Sequence, residues 1–180
     1  MLARLLFFIS ALSLLFIAAP AAHGGAPAQR DPSGIESVTF LNVSPYPATA
    51  GSTINISWNA EIEESGPVTF NVYIPSDWYS EANWQAGTGV TQTADSGHSY
   101  TAAACPSVTI NSVPMHCASY SLTDTGTTTE SMTLSFTLRS TATPGANRPV
   151  RVTNPQGSAG TPNIGTFYMK VDPVPDVRYV

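Results

Sequence analysis

The feature that most constrains this chain is a repeated two-residue alternation of apolar and polar side chains. It is clearest from Ser52 to Ala60, where Ile54, Ile56 and Trp58 fall on one side and Asn55, Ser57 and Asn59 on the other. Successive side chains of an extended strand point to opposite faces, so this spacing predicts a strand with one buried face. The same period returns in Val68, Phe70, Val72 and Ile74, in Met132, Leu134, Phe136 and Leu138 between Glu130 and Leu138, and in Phe167, Met169 and Val171 between Thr166 and Val171.

Shorter candidates are Glu36 to Val43 with Val38, Phe40 and Leu41, Ser107 to Val113, Cys117 to Leu122, and Val150 with Val152. The breaks between them carry turn chemistry: Ser44-Pro45-Tyr46-Pro47, the acidic link Glu61 to Gly66, Pro75, Asp124-Thr125-Gly126-Thr127, Pro144-Gly145 and Asn154-Pro155-Gln156-Gly157. Proline cannot donate to a strand ladder, and Asn, Asp and Gly favour tight turns. No window after the first residues shows helical spacing. The expected fold is all-β, an antiparallel immunoglobulin-like or fibronectin III-like sandwich of seven or eight strands.

Ahead of this pattern stands a single positive charge, Arg4, and an apolar run from Leu5 to Ala19. The run is too short for a membrane span, which needs roughly 18 apolar residues, and its order is that of a secretory leader. Residues 1–24 are therefore expected to be a signal peptide. The small residues of Ala19-Pro20-Ala21, Ala22-His23-Gly24 and Gly24-Gly25-Ala26 leave the cleavage point open between Ala22 and Pro27. Residues 25–34 form a flexible lead-in, 35–172 the sheet domain and 173–180 a tail broken by Pro173 and Pro175. The exported part has about 150 residues, enough for one domain with its own core. No other transmembrane segment is expected, and the destination is extracellular, or periplasmic in a bacterial host.

The chain holds 7 basic and 12 acidic residues, and Lys170 is its one lysine. That balance argues against nucleic acid as a partner, because phosphate neutralisation needs basic clusters. The two cysteines, Cys105 and Cys117, lie in the exported part, and an oxidising compartment favours a disulfide between them.

Two stretches carry a resemblance. Val43 to Trp58, with Ser44-Pro45, Ala48-Thr49-Ala50-Gly51 and Ile54-Asn55-Ile56-Ser57-Trp58, resembles the opening of immunoglobulin-like modules of secreted and surface proteins. Ala142 to Gly157, with Pro144-Gly145 and Val150-Arg151-Val152-Thr153-Asn154-Pro155-Gln156-Gly157, resembles the late hairpin of IPT/TIG-type modules. The resemblance implies a secreted β-sandwich module and no particular ligand. Trp58 precedes both cysteines, so the bridge-and-tryptophan arrangement of antibody domains is missing.

The segment Trp78 to Ala104 is longer than a minimal sandwich requires. It carries Trp78, Tyr79, Trp84 and Tyr100 among small and polar residues. If exposed, these rings suit recognition of an extracellular protein or carbohydrate, since flat rings stack on sugar faces; if buried, they cap the core. The histidines are His23, His98 and His116. Cleavage after Ala22 would make His23 the first residue and allow a copper brace with His98 or His116, as in secreted lytic polysaccharide monooxygenases; cleavage elsewhere removes it. No other metal and no cofactor is expected. Met115, His116 and Cys117 alternate in direction, which disfavours a joint site.

The chain offers no Gly-x-Ser-x-Gly elbow and no triad spacing. Glu61, Glu63 and Glu64 read as a solvated turn. Asn42-Val43-Ser44 and Asn55-Ile56-Ser57 match the glycosylation sequon, and Asn55 is the favoured acceptor because Pro45 follows the first. The functional expectation is a non-enzymatic secreted module that binds a protein or glycan surface, with the Trp78 to Ala104 segment as its contact region. The alternatives are a structural subunit of a surface filament or coat and the copper protein, and the oligomeric state stays open.

Overall fold

The computed structural model describes residues 35–62, 66–94, 100–124, 128–155 and 164–175. In chain order these form β1 (Ile35–Ser44), β2 (Ala48–Thr49), β3 (Thr53–Ile62), β4 (Gly66–Pro75), α1 (Glu81–Ala86), β5 (Thr91–Ala94), β6 (Tyr100–Ala104), β7 (Val108–Ile110), β8 (Val113–Asp124), β9 (Thr128–Thr137), β10 (Gly145–Thr153) and β11 (Ile164–Asp172). Two sheets result. The first has the order β1-β3-β9-β5; the second has β2-β11-β10-β4-β8-β6, with β7 paired to β8.

The alternation seen in the sequence decides what lies between the sheets. Ile54, Ile56, Trp58 and Ala60 of β3 and Met132, Leu134 and Phe136 of β9 are buried, and so are Val68, Phe70, Val72 and Ile74 of β4. With Tyr120, Leu122, Val150, Val152, Met169 and Val171 they make one continuous cluster. Trp58 and Phe70 join the sheets directly, with ring centroids 5.5 Å apart. Each large side chain withdrawn from water in this way contributes about 1.5–3 kcal/mol before conformational entropy is charged against it.

From Thr53 to Asn59 the outward face of β3, with the β9 residues opposite it, is uncharged. Ser57 and Thr133 hydroxyls meet at 2.9 Å, Ser131 Oγ donates to Asn59 Oδ1 at 2.9 Å, and the Thr53 and Thr137 hydroxyls meet at 3.1 Å. Directly opposed strand residues share a face, so the β3–β9 register makes this ladder of hydroxyls and amides.

The all-β expectation holds, and three finer expectations do not. The second sheet is mixed, because β2 runs parallel to β11 through Ala48–Val171 and Thr49–Asp172 pairs. The chain leaves β1 of the first sheet at Ser44, turns through Pro45 and Pro47, each preceded by a cis peptide bond, and enters β2 at the edge of the second. Those prolines separate two strands in different sheets, whereas the sequence reading ended one strand there.

A helix also occurs where none was expected. α1 spans six residues, its N-cap Ser80 accepts a hydrogen bond from the Asn83 N–H, and Gly87 closes it in the left-handed conformation with φ 66°. It buries Trp84 alone, so it has no apolar stripe to announce it.

Finally, the described residues form eleven strands rather than seven or eight. Ser107 to Val113 is a hairpin arm and its turn rather than one strand: β7 pairs with β8 through Ile110–Val113, leaving Asn111 and Ser112 as the two-residue loop. The expected strand at Cys117 to Leu122 is the middle of the longer β8. The signal peptide, the lead-in, the last residues of the tail and the centres of three expected turns lie outside the described residues.

Cys105 and Cys117 form the expected disulfide, with Cα atoms 5.2 Å apart. Cys117 is opposite Tyr73 on β4, on the face of the second sheet that looks away from the core. The bridge therefore ties the β6–β7 link over β8, and Met115 and Cys117 are buried beneath that link.

Candidate functional site

The aromatic residues of the Trp78–Ala104 segment are interior. Trp78 and Trp84 are 0% exposed and Tyr100 is 8% exposed, so these rings present no face to a ligand, which corrects the expectation of an exposed aromatic surface. The cause is α1, which turns Trp84 inward: its Nε1 donates to the Val72 carbonyl at 3.2 Å, and its ring lies against Tyr79, Tyr120 and Phe136. Tyr79 is partly buried, packs edge-on against Phe136 and donates to the Thr88 carbonyl at 2.8 Å. Tyr100 stands edge-on to Tyr120, whose hydroxyl pKa is pushed up by burial and then by Tyr79. Small and polar neighbours in the sequence hid this packing.

His116 is the one predicted metal-ligand histidine within the described residues; His23 and His98 lie outside them. Its Nδ1 is 3.7 Å from Glu81 Oε1, and the same oxygen accepts from Ser107 Oγ at 2.7 Å. A carboxylate between a hydroxyl and a ring is the wrong order for nucleophile activation, which needs the ring next to the hydroxyl. Among the described residues no three His, Cys, Asp or Glu side chains gather as a metal set, and Met115 and His116 separate as expected, Met115 being buried under the β6–β7 link.

Asn55 sits on the outward face of β3 and accepts a hydrogen bond from Ser135 Oγ. Asn42 pairs with Ser57 in register, so both sequons share one face. Glu63 and Glu64 lie outside the described residues, and Glu61 is the last residue but one of β3.

A concave surface that the sequence did not reveal is built by Asn111, Val113, Ala146, Asn147, Arg148 and Tyr168, with a volume of about 520 Å³; another, of about 560 Å³, lies around Glu81, Ser107 and His116. Both fall within the roughly 300–1,000 Å³ usual for small-molecule sites. One wall of the first is the β7–β8 turn. Asn111 and Ser112 have φ of 48° and 64°, the left-handed pair that a tight two-residue hairpin loop requires. A second wall is the bulge in β10, where the β11 register slips between Gly145 and Arg148 and Asn147 takes φ 61°. Outside glycine such backbone is costly and gathers at sites that use it. These three are the positive-φ non-glycine residues among those described, and all lie in or beside this groove.

Tyr168 of β11, a residue 44% exposed, completes the groove. Asn111 Nδ2 donates to its hydroxyl at 3.0 Å and so links the hairpin tip to a strand 57 residues away. At the inner end, Arg148 donates from Nη2 to Asp77 Oδ1, while Asp77 Oδ2 accepts from the Thr143 N–H at 2.8 Å. Partial burial raises the Asp77 pKa, but the Thr143 bonds and the Arg148 charge outweigh it, leaving the carboxyl below its ordinary range. The groove thus offers amides, one phenol ring and a cation already neutralised by its partner. The one sequence signal for it was Asn111-Ser112 between two β-branched residues, Ile110 and Val113.

No protein-family model and no curated protein matches this chain. Among solved structures, similarity extends to AvmM, which catalyses macrocyclization in alchivemycin A biosynthesis, at TM-score 0.42 and 10% identity over 82% of this chain and 93% of that one. A family 123 glycoside hydrolase from Clostridium perfringens matches at TM-score 0.36 and 15% identity over 71% of this chain and 22% of its own. A DUF4466 family protein from Parabacteroides merdae ATCC 43184 matches at 0.36 and 13%, over 73% and 44%. At these scores the likenesses say nothing about what the chain does.

Proposed function

We propose that this chain is an exported, non-enzymatic immunoglobulin-like module that binds an extracellular protein or glycan surface, with the groove around Tyr168 as its contact region. The observation that carries the reading is the clustering of Asn111, Ser112 and Asn147, each in left-handed backbone, around an exposed aromatic ring. Preformed polar walls beside an exposed ring reduce the ordering cost of binding.

The immunoglobulin-like part is supported by strand order. The order β1-β3-β9-β5 follows A-B-E-D, and β11-β10-β4-β8-β6 follows G-F-C-C′-C″ of a variable-type sandwich. The middle strands depart from that type in chain order, since β5 and β6 in the D and C″ positions both precede β8 in the C′ position. Export is supported by the leader pattern of residues 1–24, and the Cys105–Cys117 bridge accords with an oxidising compartment.

The test is saturable binding of the labelled, secreted protein to intact cells of its source and to their shed extracellular material. Ala146→Arg, which fills the groove from an exposed position, is compared with the parent. The reading expects saturable binding that Ala146→Arg abolishes while circular dichroism and Tm stay unchanged. Absence of saturable binding, or equal binding by a folded Ala146→Arg variant, would contradict it.

A further inference from the structure

We infer that the occupant of the groove is a neutral hexopyranose glycan, one sugar of which stacks on the Tyr168 ring while the amides of Asn111 and Asn147 hydrogen-bond its hydroxyls; this rests on the contact reading given above. Three observations lead there.

First, the aromatic element is an exposed tyrosine whose hydroxyl edge is hydrogen-bonded. Asn111 Nδ2 holds the Tyr168 hydroxyl at 3.0 Å while the residue stays 44% exposed. A phenol accepting one hydrogen bond keeps its own proton to donate. Such a fixed ring is a platform for the apolar C–H face of a pyranose, and its fixation lowers the entropy lost on binding.

Second, the polar groups match hydroxyls better than charges. Asn111 and Asn147 each bring an amide that donates and accepts, as sugar hydroxyls do. Both amides sit on backbone held in the left-handed conformation. Arg148, the lining residue with a charge, is already bonded to Asp77. An anionic sugar would find no uncompensated cation, and burying one against a neutralised pair carries a desolvation cost.

Third, the exposed large hydrophobic residues among those described are Tyr46, Val108, Tyr168 and Val174. Of these the groove contains Tyr168 alone, whereas a stable protein interface of about 800 Å² per partner has an apolar, aromatic-rich centre. The groove instead has the size and lining of a site for a few sugar units.

The experiment is a 1H–15N titration of the exported chain with neutral tetraoses of glucose, mannose and N-acetylglucosamine, and with tetragalacturonate as the charged comparison. The expected result is saturable shifts of the Asn111 and Asn147 side-chain amides with at least one neutral tetraose and none with tetragalacturonate. Tyr168→Ala should weaken the binding about tenfold or more, and Tyr168→Phe, which keeps the ring, about threefold or less. Equal or stronger binding of tetragalacturonate overturns the neutral assignment. If Ala146→Arg abolishes binding to the extracellular surface, but protease treatment of that surface also abolishes it and no tetraose shifts the amides, the glycan proposal falls while the contact reading stands. If no surface binding exists at all, both fall.

Discussion

Trp84 and Val72 are joined by a buried hydrogen bond in which the indole Nε1 on α1 donates to the main-chain carbonyl of a central strand at 3.2 Å. The bond locks α1 onto the second sheet and places Trp84 among Tyr79, Tyr120 and Phe136. Trp84→Ala is expected to cost about 3–5 kcal/mol, from the cavity and the orphaned carbonyl together. Urea unfolding measures it. A loss below about 1 kcal/mol would contradict the interior role of this residue.

The Cys105–Cys117 bridge closes a short segment, so its effect is local as well as global. Replacing both cysteines by serine should lower stability by about 2–3 kcal/mol. Amide exchange should show the loss of protection first in β6, β7 and the start of β8, while β3 and β9 keep theirs. Uniform loss across both sheets would mean that the bridge holds more than the link covering Met115.

Asp77 gives the pH dependence. Its folded-state pKa is depressed, so the stability it contributes is fully present above the unfolded carboxyl value of about 3.9 and is lost as pH falls through the lower folded value. Asp77→Asn should cost about 1–2 kcal/mol at pH 7, discounted for the partial exposure of the pair, and nothing at the lowest pH. Chemical denaturation from pH 2 to 7 tests this; a parallel offset at every pH would show that the charge is not the cause.

Gly89 has φ of 73°, and a Cβ there would stand 2.5 Å from the Tyr79 hydroxyl. Gly89→Ala is expected to destabilise by about 1–2 kcal/mol or more, because the left-handed backbone and the displaced Tyr79 bond to Thr88 both count. Thermal unfolding is the check, and an unchanged Tm would remove the constraint.

At the groove, Asn111→Gly preserves the turn and removes only the bond to Tyr168, whereas Asn111→Val asks a β-branched residue to take φ near 48°. The first should leave Tm within about 2 °C of the parent, and the second should cost about 1–2 kcal/mol. Equal stability of the two variants would contradict the left-handed turn.

The buried halves of β3, β4 and β9 were legible because a strand with one wet face repeats every two residues, as Ile54, Ile56 and Trp58 do. The parallel β2 was not, since two residues, Ala48 and Thr49, carry no period. α1 escaped because one buried side chain in six residues gives no helical stripe. The aromatic segment misled for a related reason: Trp78, Trp84 and Tyr100 fill the core through tertiary contacts, and their Gly, Ala and Ser neighbours look like loop. The groove was invisible because its members lie far apart in the chain. Asn111 and Tyr168 meet only after β7 folds back on β8 and β11 joins β10, and neither position belongs to a buried face. Cys105 and Cys117 could be paired from composition and the leader-like start of the sequence.

The most direct test sets Tyr168→Ala beside Trp84→Phe and measures both Tm and surface binding. The account expects Tyr168→Ala to keep the parent Tm and lose binding, and Trp84→Phe to lose stability while still binding when folded. Binding that survives Tyr168→Ala but fails in folded Trp84→Phe would return the contact region to the aromatic segment and contradict the groove.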